Sequence, residues 1–229
     1  QGLQQMPVDG WLPVTVPGAP AAWAELIGRF GKLKLTQVLA PAIEYAEAGF
    51  PVSPTISRQW AAGYKRFKVL EGTEFGCWLE TFAPAGRAPL AGEIWRSPAH
   101  ANTLRRLAES NCQDFYQGEL ARRIDAFSRQ YGGCLRASDL AGYRPEWVEP
   151  ISVNYRGHEV WVLPPNGHGL VTLLALNILQ GMQFDQKESA ETYHLHIEAI
   201  KLAFADGLKY IADPRRSNVP VKELLAAAY

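Results

Sequence analysis

The stretch YRGHEVWVLPPNGHGLVTLLALNILQGM, residues 155–182, decides the fold of the chain around it. Residues 158–163 are mostly β-branched or aromatic and place apolar side chains on both faces, which predicts a strand buried on two sides. Pro164 and Pro165 end this strand because neither has an N–H group to donate to a sheet. The segment therefore leads from a strand, through a turn, towards a helix.

The helix is predicted over residues 170–182, where only Thr172, Asn177 and Gln180 are plainly polar. A helix with so few polar positions is expected to be buried on nearly every side. Before it, residues 151–155 alternate apolar and polar side chains, and Arg156-Gly157 supplies a tight turn, so the two strands are predicted to form a β-hairpin.

The turn between strand and helix is the candidate binding site, formed by Asn166, Gly167, His168 and Gly169. A glycine turn that enters a helix N-terminus presents unpaired N–H groups at one spot, which can bind an anion. A nucleotide site is disfavoured, because the turn lacks the third glycine of the GxGxxG motif and the sequence has no GK[ST] motif. The acidic residue expected about 20 positions later is also not placed by a second predicted strand. Two interpretations stay open: a structural turn, or a turn that also lines the wall of an active site.

A long helix is predicted from Tyr193 to about Ile211, with Thr192 as its N-cap and Asp213-Pro214 beyond its end. Its apolar residues are predicted to face inward, namely Leu195, Ala199, Leu202 and Ala203, with Ile200, Phe204 and Leu208 widening the buried stripe. Residues 219–229 are expected to form an extended step and a last helix. With residues 151–182 apolar on so many faces, the isolated chain is expected to expose a large apolar patch.

The first 145 residues are predicted to be mostly helical. An extended lead-in covers residues 1–18, and residues 71–98 are expected to form a surface excursion without regular structure, because glycine and proline are frequent and no period is sustained. Helical periodicity predicts two helices near the start of this part, over residues 19–30 and from Leu35 or Thr36 to residue 48. A third helix is predicted to follow a cap at Ser53 or Ser57. Two more are predicted over residues 99–110 and 115–131, followed by a capped turn at residues 137–143.

Composition limits the classes of function. The 229 residues are 47% hydrophobic and 20% charged, as in one large globular domain or a large piece of one. A formal net charge of +0 predicts no nucleic-acid partner and no anionic membrane surface, and no apolar run approaches a membrane span. Since the chain opens at Gln1 without a signal pattern, we expect a processed or truncated product, and no compartment is predicted. The three cysteines lack metal-ligand spacing and are expected to be free and mostly buried, the alternative being one disulfide.

No complete catalytic set is found in the sequence. His194 and Glu198 lie at i and i+4 on one helical face, which is a metal-binding geometry, but no third ligand accompanies them, so no metal is predicted. No serine sits in a GxSxG elbow, and Asp206 with Asp213 does not define a pair of glycosidase carboxylates. We therefore assign no catalytic residue and no cofactor.

Seven stretches resemble, in order, the large subunit of the gamma-glutamyltransferase (gamma-glutamyltranspeptidase) family, in its acylase-like and glutathione hydrolase-like branch. They cover nearly the whole chain and are VPGAPAAWAELIGRFGKLKL with PAIEYAEAGFPVS, GRAPLAGEIWRSPAHANTLRRLAE, FYQGELARRI, YGGCLRASDLAGYRPEWVEPISVNYRGHEVWVLPPNGHG, ALNILQGM, and AFADGLKYIADPRRSNVPVKELL. Each stretch alone is a weak signal, but their common order makes the match specific.

The resemblance implies an α+β fold, mostly helical with a β-hairpin, within a four-layer αββα N-terminal nucleophile hydrolase sandwich. Residues 1–229 would then be one segment of the large subunit of a single catalytic domain, without the N-terminal portion and without the small subunit whose N-terminal Thr is the nucleophile. That small subunit is the implied partner. The implied substrates are gamma-glutamyl amides such as glutathione, or related acyl amides, with no cofactor.

The sequence also departs from the family's pattern. It contains no Thr-Thr-His self-cleavage site and lacks the glycine-rich portion that carries the substrate-carboxylate arginine, so no catalytic role transfers to a residue here and the chain alone is expected to be inactive. Its Pro-Pro-Asn-Gly turn differs from the Ser-containing turn of typical transpeptidases, which favours the acylase-like branch and hydrolysis over transfer. The alternative is a structural or binding module that keeps the helical layer without the chemistry.

Overall fold

The computed structural model describes residues 4–229, so the first three residues of the predicted lead-in lie outside the described part. The chain divides into two compact units, one up to Pro145 and one from Glu146 to Tyr229. Among the described helices, none has the length and apolar content that crossing a bilayer requires.

The first unit is mainly helical. Its helices are α1 (Ala19–Phe30), α2 (Leu35–Ala48), α3 (Pro54–Phe67), α4 (Thr73–Phe82), α5 (Pro98–Glu109), α6 (Gln113–Gln117), α7 (Glu119–Gln130) and α8 (Ala137–Gly142). Two short strands, β1 (Phe50–Pro51) and β2 (Ile94–Trp95), pair antiparallel. Helices α2 and α5 pack against each other, and Leu35 and Leu107 meet in a buried apolar cluster.

The bounds predicted for α1, α2 and α5 agree with the structure to within a residue, but periodicity does not fix which apolar residues are buried. In α1, Trp23, Leu26 and Phe30 are exposed and Ile27 packs into the core. Helical periodicity identifies an apolar face, whereas burial depends on which neighbour covers it.

Helix α4 was not predicted, because residues 71–98 were expected to form a surface excursion without regular structure. Its aromatic side chains hold it against α3: the ring of Trp78 stacks on Phe67 at 4.5 Å, and Phe82 lies 5.9 Å from Trp60. The Trp60 indole N–H also donates to the Phe82 carbonyl oxygen at 2.7 Å. These contacts join residues that are 11 and 22 positions apart, so a local period does not reveal them.

The helix predicted over residues 115–131 is two helices, α6 and α7, separated at Gly118. The Asp114 carboxylate explains the break: it accepts the Glu119 backbone N–H at 2.7 Å and the Arg106 Nε at 2.8 Å. Burial opposes ionisation of Asp114, but these hydrogen bonds and the Arg106 charge lower its pKa overall. Asp114 thus provides a hydrogen-bond acceptor for a backbone N–H group in the first turn of α7, as a helix cap does.

Caps are only partly predictable. Ser53 caps α3 by accepting the Ile56 N–H, as predicted, and Asp139 accepts the Arg136 N–H at the start of α8. Of the two predicted starts of α2, Leu35 is the observed one, and Lys34 is its N-cap. The three cysteines, Cys77, Cys112 and Cys134, are free as predicted, but only Cys112 is buried, and burial raises the pKa of its thiol.

The second unit contains the predicted hairpin of β3 (Ile151–Tyr155) and β4 (His158–Val162), followed by α9 (Gly169–Gln180), α10 (Ala190–Tyr210) and α11 (Val221–Leu224). The hairpin pairs Ile151 with Val162 and Tyr155 with His158. Its turn is formed by Arg156 and Gly157, which both have positive φ, as a type I′ turn requires.

Helix α9 is the centre of this unit. Its apolar residues are nearly all buried, and they form the core together with residues of α10 and α11: Leu170, Val171, Leu174, Ala175, Ala203 and Leu224. The prediction that α9 is buried nearly all round is confirmed in part, since Thr172 and Gln180 are exposed and Leu176, Asn177 and Ile178 are half-buried. A Cβ on Gly207 would lie 2.6 Å from Val171 Cγ2, so α10 approaches α9 as closely as a glycine permits.

Three predictions for this unit are wrong in detail. Ser189, three residues earlier than predicted, caps α10 by accepting the Thr192 N–H, and the Thr192 hydroxyl donates instead to the Gln186 carbonyl. Strand β4 is not buried on both faces, because Trp161 is 58% exposed and the following Leu163 is 69% exposed. Only the face that carries Val153 and Val160 is covered, and α9 covers it.

The third error concerns the buried stripe of α10, which is narrower than predicted. Ala199, Ala203 and Gly207 are buried against α9, whereas most of the larger apolar residues predicted to face inward are exposed, namely Ile200, Leu202, Phe204 and Leu208. The close approach of two helices selects small residues at the contact and leaves no space there for larger ones.

The ion pair of Arg87 and Glu93 predicts a pH dependence. The Arg87 guanidinium and the Leu90 N–H hydrogen-bond to the Glu93 carboxylate and lower its pKa to about 2. A depressed carboxyl pKa stabilises the fold above the unfolded-state pKa, and this contribution disappears as pH falls through the folded-state value. In Glu93→Gln, the melting temperature should therefore fall relative to wild type at neutral pH, and the difference should vanish between pH 4.5 and about 2.

Arg87→Met removes the same interaction from the other side and should show the same convergence in a pH series of thermal melts. A difference between wild type and Glu93→Gln that stays constant from neutral pH to about pH 2 would contradict the assigned role.

Candidate functional site

The predicted turn connects β4 to α9 and lies at the surface. Asn166, Gly167 and His168 are exposed, and Gly169 is half-buried as the first residue of α9. The Val171 N–H donates to the His168 carbonyl oxygen at 3.0 Å. The N–H groups that precede it have no intrahelical acceptor by the geometry of a helix, so they remain available at this end of α9.

Packing explains Gly169. A Cβ at this position would lie 2.8 Å from Val162 Cβ and 3.1 Å from the Leu163 carbonyl oxygen. Both distances are shorter than ordinary van der Waals contact, so a glycine allows α9 to start directly against the end of β4. Gly167 differs, because no atom lies within 4 Å of the Cβ position. The interpretation as a structural turn thus has a direct physical basis at one of its glycines.

His168 occupies the N-cap position of α9, yet its side chain makes no capping hydrogen bond. Its ring instead lies 6.3 Å from the ring of Phe204 on α10. The imidazole therefore lies beside the apolar surface of α9 and α10, and it does not cover the N-terminus of α9.

A groove of about 500 Å³ lies between α9 and α10 and includes His168 in its lining. Its other lining residues are mainly apolar, among them Leu176, Ile200 and Phe204, together with His196 and Tyr155. The sequence patterns did not associate His196 or Tyr155 with the turn. The position of His196, four residues before Ile200 on the same helical face, is the signal that connects it with this groove.

The other candidate groups form no catalytic set. The Glu198 carboxylate accepts a hydrogen bond from Lys201 Nζ at 2.7 Å, which lowers the pKa of Glu198, so it is engaged in an ion pair on the helix surface. His196 packs its ring at 5.0 Å against Phe184. Asp206 accepts a hydrogen bond from the Tyr229 hydroxyl at 3.0 Å, a contact that the sequence did not predict and that raises the pKa of Tyr229.

No group of three or more His, Cys, Asp or Glu side chains in residues 4–229 is arranged to hold a metal ion. The described surface offers a turn with open backbone donors and an apolar groove beside it. Such an arrangement can position a ligand, but it supplies no nucleophile with an adjacent base.

Comparisons with known proteins agree on one family. The family model described as Gamma-glutamyltranspeptidase matches residues 1–229. The glutathione hydrolase-like YwrD proenzyme of Bacillus subtilis is 36% identical over 218 residues, which are 94% of this chain and 41% of that protein. The acylase ACY 1 proenzyme of Pseudomonas sp. strain V22 is 36% identical over 228 residues, 97% of this chain and 39% of that protein.

Among solved structures, the cephalosporin acylase from Bacillus halodurans superposes with a TM-score of 0.94 at 55% identity and covers 100% of this chain and 43% of that chain. The α+β fold expected from the sequence, as part of an N-terminal nucleophile hydrolase sandwich, is confirmed. The chain spans about two fifths of the length of the curated relatives it matches.

The contrast between the two glycines of the turn is testable. Gly169→Ala should lower the free energy of unfolding by about 1–3 kcal/mol, because its methyl group has to displace Val162 or the Leu163 carbonyl. Gly167→Ala is the matched control and should change the free energy of unfolding little, because the added methyl group meets open space. Urea denaturation of the two variants measures both values, and equal stabilities would contradict a packing role for Gly169.

Proposed function

This chain belongs to the gamma-glutamyltranspeptidase family, and we propose that it forms part of the large subunit of an amide hydrolase that uses an N-terminal Thr nucleophile. The observation that carries the proposal is that the family model matches residues 1–229 from end to end. The names of the relatives support it, since two of them are proenzymes called a glutathione hydrolase-like protein and an acylase. Both kinds of name denote cleavage of an amide bond.

In the proposed enzyme, the nucleophile lies on a second chain released from the same precursor. An N-terminal Thr can use its own α-amino group as the base that takes the hydroxyl proton. The hydroxyl oxygen then attacks the amide carbonyl, the amine leaves with a proton, and water hydrolyses the acyl-enzyme ester. Residues 1–229 contribute the helical layer and the β3–β4 hairpin as one segment of a single catalytic domain.

The proposed substrates are gamma-glutamyl amides such as glutathione, or related acyl amides. The Pro-Pro-Asn-Gly turn and the 55% identity to a cephalosporin acylase favour the acyl amides and favour hydrolysis over transfer to an acceptor. Asn166, Gly167, His168 and Gly169 are proposed to line the wall of the active site. The exposed Asn166 and His168 side chains and the open donors of α9 support this assignment.

The complete precursor provides the test of the function. It should release a chain that begins with Thr, detected by intact mass, and the processed protein should cleave a gamma-glutamyl chromogenic amide, an acylated lactam or both. Replacing that N-terminal Thr by Ala should abolish turnover, because the attacking oxygen is lost. A precursor that remains intact and cleaves neither substrate would favour the alternative, a structural or binding module without chemistry.

The turn is tested separately in the processed enzyme. Asn166→Ala and His168→Ala should raise KM or lower kcat, giving a loss in kcat/KM of about tenfold for one lost hydrogen bond in an enclosed site. His158→Ala is the matched control, since this exposed histidine lies at the opposite end of β4. Unchanged kinetics in both turn variants would restrict the turn to a structural role.

A further inference from the structure

Arg156 occupies a position where the backbone favours other residues. It is the first central residue of the β3–β4 turn and has a φ of 53°, and Gly157 beside it has a φ of 85°. A turn with two positive φ angles favours Asn, Asp or Gly at its first central position, because other side chains rarely adopt this conformation. An arginine here breaks a local rule, which indicates a role for its side chain.

Arg156 connects the hairpin to the C-terminal end of α9. Its backbone N–H donates to Gln180 Oε1 at 2.9 Å, and its Nη2 donates to the Met182 carbonyl oxygen at 2.9 Å. The guanidinium also lies over the ring of Phe184, with Cζ 4.7 Å from the ring centroid. The same ring lies 5.0 Å from the ring of His196 on α10. One exposed residue thus joins the hairpin, the end of α9 and the segment that leads to α10.

The contacts of Arg156 complement those at the other end of β4. There, Gly169 allows α9 to start directly against Val162, so the strand and the helix are attached beside the candidate turn. Between the two ends, the hairpin packs on α9 through apolar side chains such as Val153. Apolar packing has no preferred direction, whereas hydrogen bonds do. A strand attached at one end can rotate about that end, and Arg156 supplies the second, directional attachment that prevents this.

We propose that Arg156 is a positioning residue for the turn formed by Asn166, Gly167, His168 and Gly169. Its side chain holds the outer end of β4 at the C-terminal end of α9, and this attachment fixes the direction in which β4 leads the chain into the turn. The turn side chains therefore keep constant positions relative to the N-terminus of α9. The inference rests on the proposed function only in so far as the turn lines the active site.

Arg156→Asn in the full-length protein tests the mechanical link. Asparagine suits a positive φ, and the lost hydrogen bond is exposed to water, so the melting temperature should change little. The turn is observed by NMR of labelled histidines. The ring of Phe204 lies 6.3 Å from that of His168 and shifts the His168 signals by an amount that falls steeply with distance. These signals, identified by their loss in His168→Gln, should move in Arg156→Asn. Glu188→Asn is the matched control and should leave them in place, because Glu188 is also exposed and has a φ of 57°.

Kinetics of the processed enzyme test the consequence for the site. In Arg156→Asn, kcat/KM should fall by at least about tenfold, because misplaced groups at an active site lose their alignment with the substrate. Arg156→Lys should recover part of this loss, because its ammonium group can still donate to the Met182 carbonyl oxygen. Glu188→Asn should keep the wild-type kcat/KM.

The two measurements separate the possible failures. Wild-type His168 signals in Arg156→Asn would overturn the proposal, whatever the kinetics show. Displaced signals with an unchanged kcat/KM would support the positioning role and contradict the place of the turn in the active site. Displaced signals in a full-length protein that cleaves neither test substrate would support the positioning role and contradict the proposed function alone.

Discussion

The need to cover α9 on nearly every side is the constraint on which the second unit depends. This helix carries so few polar residues that water is a poor neighbour for any of its faces. The inner face of the β3–β4 hairpin covers one side, the small-residue stripe of α10 covers another, and Leu224 of α11 contributes to the same core. Gly169 allows the helix to begin against β4, and Gly207 allows α10 to approach, so two glycines set the distances of this packing.

Sequence patterns predicted the elements of this unit well, because each depends on local chemistry. The hairpin follows from alternation and from Arg156-Gly157, and α9 follows from an apolar run that two prolines separate from β4. The patterns failed where distant residues decide the structure. Helix α4 depends on Trp78 and Phe82 packing against α3, and the break at Gly118 depends on the Asp114 carboxylate. Neither contact has a periodic signature.

The turn proposed as the candidate site was predictable in place but not in detail. A turn between a strand and a helix was evident from Pro164 to Gly169, and the structure has it there. The packing role of Gly169 and the proximity of His168 to Phe204 needed the structure, since they depend on the distance between neighbouring elements. The sequence assigned no catalytic residue to this turn, and we propose that the nucleophile of the site comes from another segment of the precursor.

The errors in predicted burial have a common cause that bears on the whole protein. Trp161 and Leu163 on the outer face of the hairpin, and Ile200, Phe204 and Leu208 on α10, have the apolar composition of interior positions, yet they are exposed in this chain. Composition records the environment in which a residue functions, whereas the exposure of an isolated segment records only the neighbours that the segment itself provides. We propose that residues 1–229 are one segment of a larger catalytic domain, and we expect further chain to cover these faces there. The exposed apolar residues then indicate which faces of the segment the remaining chain has to cover.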